Sequence, residues 1–194
     1  MNKKIVFLIS SLILVSACCL FNLNLRRFLL GCYWQECAPQ RNFHVRDWKI
    51  PVNFFPEEVK VTEMMIPSEG SGEIERGSQN AFWDNGNGAS LYSIDRYATI
   101  KRASEKYENR LDDMVDDVTN KVWVTPSEIT FSSLTADEAF IACGTWIKYG
   151  CGMLARYQEY VIFFNTIIDE EMTYSDFEKI AIYLDEQITS RLYP

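Results

Sequence analysis

A chain of 194 residues has room for one domain, or for one domain with an appendage. Its 19 Lys+Arg and 27 Asp+Glu leave a net charge of −8; the first 30 residues hold only basic charges, so residues 31–194 carry −12, which argues against phosphate neutralisation and nucleic-acid binding. With 47% apolar residues, 9 Gly and 6 Pro the chain is not disordered, and its single histidine, His44, removes most histidine-based metal and acid–base designs, so no metal and no cofactor is expected.

The chain begins with a short basic stretch, Met1–Lys4, followed by an uncharged apolar run to Phe21. Soluble domains do not begin this way, so residues 1–30 are expected to be an export or anchoring segment. Three readings stand side by side. The run, extended through Leu20–Leu30, is a membrane helix with Arg26 and Arg27 at the interface. Alternatively, Val15-Ser16-Ala17-Cys18 resembles a bacterial lipobox, and Cys18 is lipidated. In the third reading the segment is cleaved after Ala17. The flanking positive charges are nearly balanced and do not fix orientation.

Cysteine usage bears on that point. Beyond Cys18 and Cys19, the body holds Cys32, Cys37, Cys143 and Cys151 in two close pairs. Local pairing into two disulfides is expected, against a zinc site of unusual spacing or free thiols in a reducing compartment. An even count in an export-tagged chain places the body outside the cytoplasm.

Residues 31–52 read as a disulfide-pinned, extended lead-in, and 53–194 as a single domain. Glu58–Met65 is a possible short strand between prolines. Glu73–Trp83 and Ala89–Tyr97 are strand-like, and Asp84-Asn85-Gly86-Asn87-Gly88 between them supplies residues that tolerate positive φ; this is the clearest hairpin. Thr99 is placed to cap a helix to about Met114, with Ile100, Ala103, Tyr107, Leu111 and Met114 as its apolar stripe. Lys121–Val124 and Glu128–Phe131 are expected as short strands. Ala139–Trp146 and Cys151–Asn165 are expected as two long central strands, joined by a tight connection at Ile147–Gly150 that sets Cys143 opposite Cys151. Thr173 and Asp176 form a capping box for a final helix to about Leu192. The predicted class is α+β, an antiparallel sheet with a mid-chain helix and a C-terminal helix packed on it.

Catalytic signals are thin. Asp112-Asp113-Met114-Val115-Asp116-Asp117 contains the Asp-Asp-x-x-Asp string of diphosphate enzymes, but reads better as a solvated helix end. The Asp84–Gly88 run lacks the ligand spacing of a calcium loop. His44 has no third group to make a thiol-catalytic arrangement, and 27 acids make carboxylate pairs uninformative. The best binding lead is aromatic: Trp146, Tyr149, Tyr157 and Tyr160 with Arg156, expected around the hairpin turn and able to stack on a ligand or hold a partner's loop.

The residues Asn53-Phe54-Phe55-Pro56, Asp84-Asn85-Gly86, Arg96-Tyr97, Ala136-Asp137-Glu138, Cys143-Gly144, Cys151 and Ala155-Arg156-Tyr157 span most of the body. In this pattern the chain resembles membrane-anchored bacterial envelope proteins without an assigned activity. The order of sheet, mid-chain helix and C-terminal helix is similar to the Mog1/PsbP-like fold. The resemblance implies a single α+β domain outside the cytoplasm and brings no catalytic residues. The expected function is a non-enzymatic binding or assembly module at the membrane, with a protein partner in the envelope; the alternatives are an envelope hydrolase using carboxylates, or a structural subunit of a membrane complex.

Overall fold

The computed structural model describes residues 32, 37–62, 73–115, 123–145 and 147–193. The proposed anchor, Cys18 and Trp146 lie outside them. Among the described residues no helix is long and apolar enough to cross a membrane.

Among the described residues, six strands form one sheet: β1 (Lys60–Val61), β2 (Glu73–Trp83), β3 (Gly88–Tyr97), β4 (Glu138–Thr145), β5 (Tyr149–Tyr157) and β6 (Tyr160–Ile167). Their spatial order is β1-β2-β3-β6-β5-β4, and every pairing is antiparallel. Helix α1 (Ile100–Val115) and helix α2 (Tyr174–Leu192) complete the α+β architecture. Strand alternation divides the sheet into two apolar faces. Tyr160, Ile162 and Phe164 of β6 face the larger core with Phe177, Ile180, Ala181, Leu184 and Ile188 of α2. Val161 and Leu154 meet Ala103, Tyr107 and Met114 of α1 on the other side. The double-sided apolarity of β6 follows from its central place between two helices.

The local signals for the helices are met by hydrogen bonds. Thr99 Oγ1 accepts from the amide of Arg102 at 3.1 Å. Thr173 and Asp176 cap α2 reciprocally. The β2–β3 turn holds Asp84, Asn85 and Gly86 at positive φ (47°, 51° and 89°), the conformations that Asn and Gly accept most readily.

Four expected strands need correction. Cys151–Asn165 is not one strand. It folds back at Gln158-Glu159, where Tyr157 pairs with Tyr160 across a two-residue turn and Gln158 takes φ 53°. Glycine normally marks such a turn, and a glutamine leaves no compositional sign of it. Second, β4 is an edge strand rather than a central one, because the chain enters the sheet at the far edge and works inward. Its edge is partly covered: Val124 makes an isolated bridge to Cys143, and Thr125 Oγ1 donates to the Ile141 carbonyl at 2.6 Å. Third, Glu128–Phe131 is not a strand. The amides of Thr130 and Phe131 donate instead to Glu178 Oε1 on α2, at 2.7 and 2.6 Å. Fourth, the strand expected at Glu58–Met65 is limited in the described residues to Lys60–Val61.

Glu178 also accepts from the Thr130 hydroxyl at 2.9 Å. The Thr130 amide first, and then the other two donors, hold its carboxyl below the usual range. A carboxyl lowered in the fold stabilises above its unfolded pKa of about 4.3 and loses that contribution as pH falls through the lower folded value. Hydrogen exchange should therefore show protection of the Thr130 and Phe131 amides, corrected for intrinsic rate, declining as pH drops below about 4. Glu178→Gln should show weakened protection already at neutral pH; an unchanged protection profile would count against this latch.

Candidate functional site

Residues 37–50 cross one end of the sheet and become part of its core, with Val45, Trp48 and Ile50 buried. The amide of Ala38 donates to the Ala98 carbonyl at 2.8 Å, and Gln79 bonds both the amide and the carbonyl of Ile50. The strongest link is ionic. Arg41 donates to both oxygens of Glu159 at 2.9 Å, and to Gln158 Oε1 at 2.5 Å. Glu159 is completely buried in the β5–β6 turn, and Arg96, lying over the Tyr160 ring, approaches it at 3.5 Å. Cys32 and Cys37 form a disulfide just before this crossing, with Cα atoms 5.4 Å apart. The lead-in is thus fastened to the end of the sheet that carries the β5–β6 turn, here called the proximal end. His44, beside it, is 59% exposed at its side chain and contacts Glu75.

At the opposite, distal end stand the β2–β3 turn and the β4–β5 connection. Thr145 pairs with Tyr149, so that connection comprises residues 146–148, and Cys143 stands directly opposite Cys151. These two cysteines form the second disulfide, Cα atoms 4.0 Å apart. The amide and carbonyl of Cys143 turn outward to Val124, which makes the cysteine pair a non-hydrogen-bonded one, the closer of the two antiparallel spacings. Both disulfides expected from sequence are present. Lys148 Nζ donates to the Asn87 carbonyl at 2.7 Å and ties the two distal turns together.

Among the described members of the aromatic group, Tyr157 and Tyr160 pair with each other but stand apart from Tyr149. Tyr149 and Tyr157 begin and end the nine-residue β5 and stand about 26 Å apart at the usual strand rise. Tyr149 is distal and part-exposed; its hydroxyl meets that of Tyr174 at 2.8 Å, and this bond with burial pushes its pKa up to about 12. Tyr157 is completely buried and donates to Asp185 Oδ1 at 2.6 Å; burial and that bond raise its pKa. Arg156 is proximal and bound to Glu138 and, at 2.9 Å, to Asp137. Tyr149 thus stands at the turn where the group was expected, whereas β5 carries Arg156 and Tyr157 to the far end of the sheet.

A different set of residues forms an open site at the distal end. On the α1 side of the sheet, beyond the last turn of the helix, a groove of about 410 Å³ is lined by Phe82, Leu91, Trp123, Ile147 and Ile167, with Asn80 and Asn165. Phe82 and Leu91 are each 42% exposed and Ile147 is 96% exposed, an unusual density of open apolar side chains. The sequence did carry a sign of it. Ala81-Phe82-Trp83 and the Leu91 between Ser90 and Tyr92 put large apolar residues where alternation calls for polar ones. On the other side of the β2–β3 turn lies a cleft of about 1070 Å³, lined by Glu57, Glu58, Asp84 and Glu171 with Lys60. The two depressions share Phe82 and Gly86.

The β2–β3 turn depends on one glycine. The indole of Trp83 lies so close over Gly88 that a Cβ there would sit 1.9 Å from Nε1. Trp83 is buried, and its Nε1 donates to Asp169 at 3.2 Å. Gly88→Ala should displace the indole and destabilise the protein by about 1–3 kcal/mol, the usual range for overpacking. A denaturant midpoint unchanged from wild type would refute this account of the turn.

Among the described residues, the completely buried carboxylates Asp95 and Glu159 are each held by arginines. Asp95, like Glu159, is gripped by two guanidiniums, Arg110 at 2.8 Å and Arg76 at 3.2 Å. Burial raises the Asp95 pKa and the two arginines oppose the shift. Among the described residues no cluster of three or more metal-ligating side chains occurs. Comparison of the sequence with protein families and with curated proteins gives no match.

Proposed function

We propose that this protein is a non-enzymatic binding or assembly module, held at a membrane by residues 1–30, whose body lies on the extracytoplasmic side. The basic, apolar N-terminus and the two disulfides support the location. The observation that carries the binding role is the exposed apolar groove at Phe82, Leu91 and Ile147. It opens at the end of the sheet opposite the Arg41–Glu159 fastening, so a chain tethered through residues 31–41 holds this groove away from its tether.

A photo-crosslinking residue placed at Phe82 of the full-length, membrane-held protein should give one adduct of defined mass. The same residue at Leu134, 96% exposed in a different region, should give none. Equal adduct patterns at both positions would sink the binding role. Fractionation tests the tether separately: the protein should resist salt and carbonate extraction, and Cys18→Ser should change mass and retention only if Cys18 carries lipid.

A further inference from the structure

The groove and the acidic cleft describe their occupant jointly. The groove is mainly apolar, Lys148 being the charged side chain among its described lining, and takes an uncharged side chain, while Phe82 and Gly86 form a rim common to it and to a cleft carrying Glu57, Glu58, Asp84 and Glu171. Among the described residues that line that cleft, only Lys60 is basic. An apolar surface and an adjoining negative field together select a ligand that is apolar and cationic.

We propose that the distal end binds a cationic, apolar peptide segment of a partner protein. Its apolar side chain enters beside Phe82, Leu91 and Ile167, and its Lys or Arg crosses the β2–β3 turn into the cleft of Glu57, Glu58 and Asp84. This inference rests on the reading of the distal end as a binding face and adds the chemistry of the partner. Charge decides against the rival occupants. A second copy of this chain brings another body of −12, and an anionic lipid surface or a nucleic acid meets the same repulsion.

The test uses the full chain in detergent micelles and fluorescent decapeptides. One alternates Lys and Leu; three controls alternate Glu and Leu, Lys and Ser, and Ser and Leu. The Lys–Leu peptide should bind, weakening as salt rises, with the Glu–Leu and Lys–Ser peptides about tenfold weaker or worse. Leu91→Ser should reduce Lys–Leu binding about tenfold and keep its salt dependence. Glu57→Gln with Glu58→Gln and Asp84→Asn should reduce binding and flatten the salt dependence. Leu134→Ser should do neither. All these positions are exposed or part-exposed, and unchanged thermal melting confirms that the variants fold.

Absence of Lys–Leu binding, or binding insensitive to both sets of changes, overturns the proposal. Equal binding of the Ser–Leu and Lys–Leu peptides, lost in Leu91→Ser, overturns the cationic partner and leaves the binding face standing. A crosslinker at Leu91 that reacts only with residues 116–122 of its own chain overturns both, since the groove is then filled from within.

Discussion

Glu159→Gln is expected to lower stability by about 3–5 kcal/mol, the range for breaking a buried ion pair from one side. Arg41 loses its bidentate partner, Arg96 loses its approach at 3.5 Å, and the turn keeps an amide where the fold was built around a charge. For a chain of this size the melting temperature should fall by about 6–20 °C. The loss should also be local. The lead-in at 37–50 is fastened through Glu159, so protease should cut it sooner in the variant, before the sheet unfolds. A double-mutant cycle of Arg41→Met with Glu159→Gln should show coupling of about 0.5–3 kcal/mol, the range for contacting residues. A melting temperature within 2 °C of wild type would refute the view that this pair fastens the lead-in.

Phe177→Ala should produce an effect of similar size by another route. Phe177 is completely buried on α2 and stacks on Phe164 of central β6, ring centroids 5.7 Å apart and planes 15° from parallel. Truncation removes apolar contact and leaves a cavity between two rigid elements, for about 3–5 kcal/mol. Denaturant unfolding reads the total, and hydrogen exchange should show the first turns of α2 opening ahead of the sheet. Phe177→Leu should recover much of the loss. If Ala and Leu variants unfold at the same denaturant concentration, the packing here contributes less than its burial implies.

What could be read from sequence was local. The β2–β3 turn declares itself through two Asn-Gly steps, both helices through Thr caps, and the Cys143–Cys151 pair through the shortness of its connection. The β5–β6 turn was missed because Tyr157-Gln158-Glu159-Tyr160 contains none of the usual turn residues. It is gripped by Arg41, 118 positions away from Glu159, a partnership that no window of sequence reveals. Arg156 and Tyr157 were expected beside the β4–β5 connection, whereas they close β5 at the opposite end of the sheet. The groove was missed for a related reason. Phe82 and Leu91 become neighbours only when β2 and β3 pair.

The strand order also governs when during synthesis the sheet can close. β3 sits in the middle of the sheet beside β6, with Ser90 paired to Thr166 and Arg96 to Tyr160. β6 is the last strand in the chain, and β4 and β5 join the body through it. A chain emerging N-terminus first can form the β2–β3 hairpin early, but the inner edge of β3 stays bare until residues 160–167 arrive. Such distant pairing folds slowly, and a bare strand edge recruits other strands. A nascent chain paused before Tyr160 therefore offers a template for aggregation, and its passage to the folded state depends on whatever shields β3 during that interval.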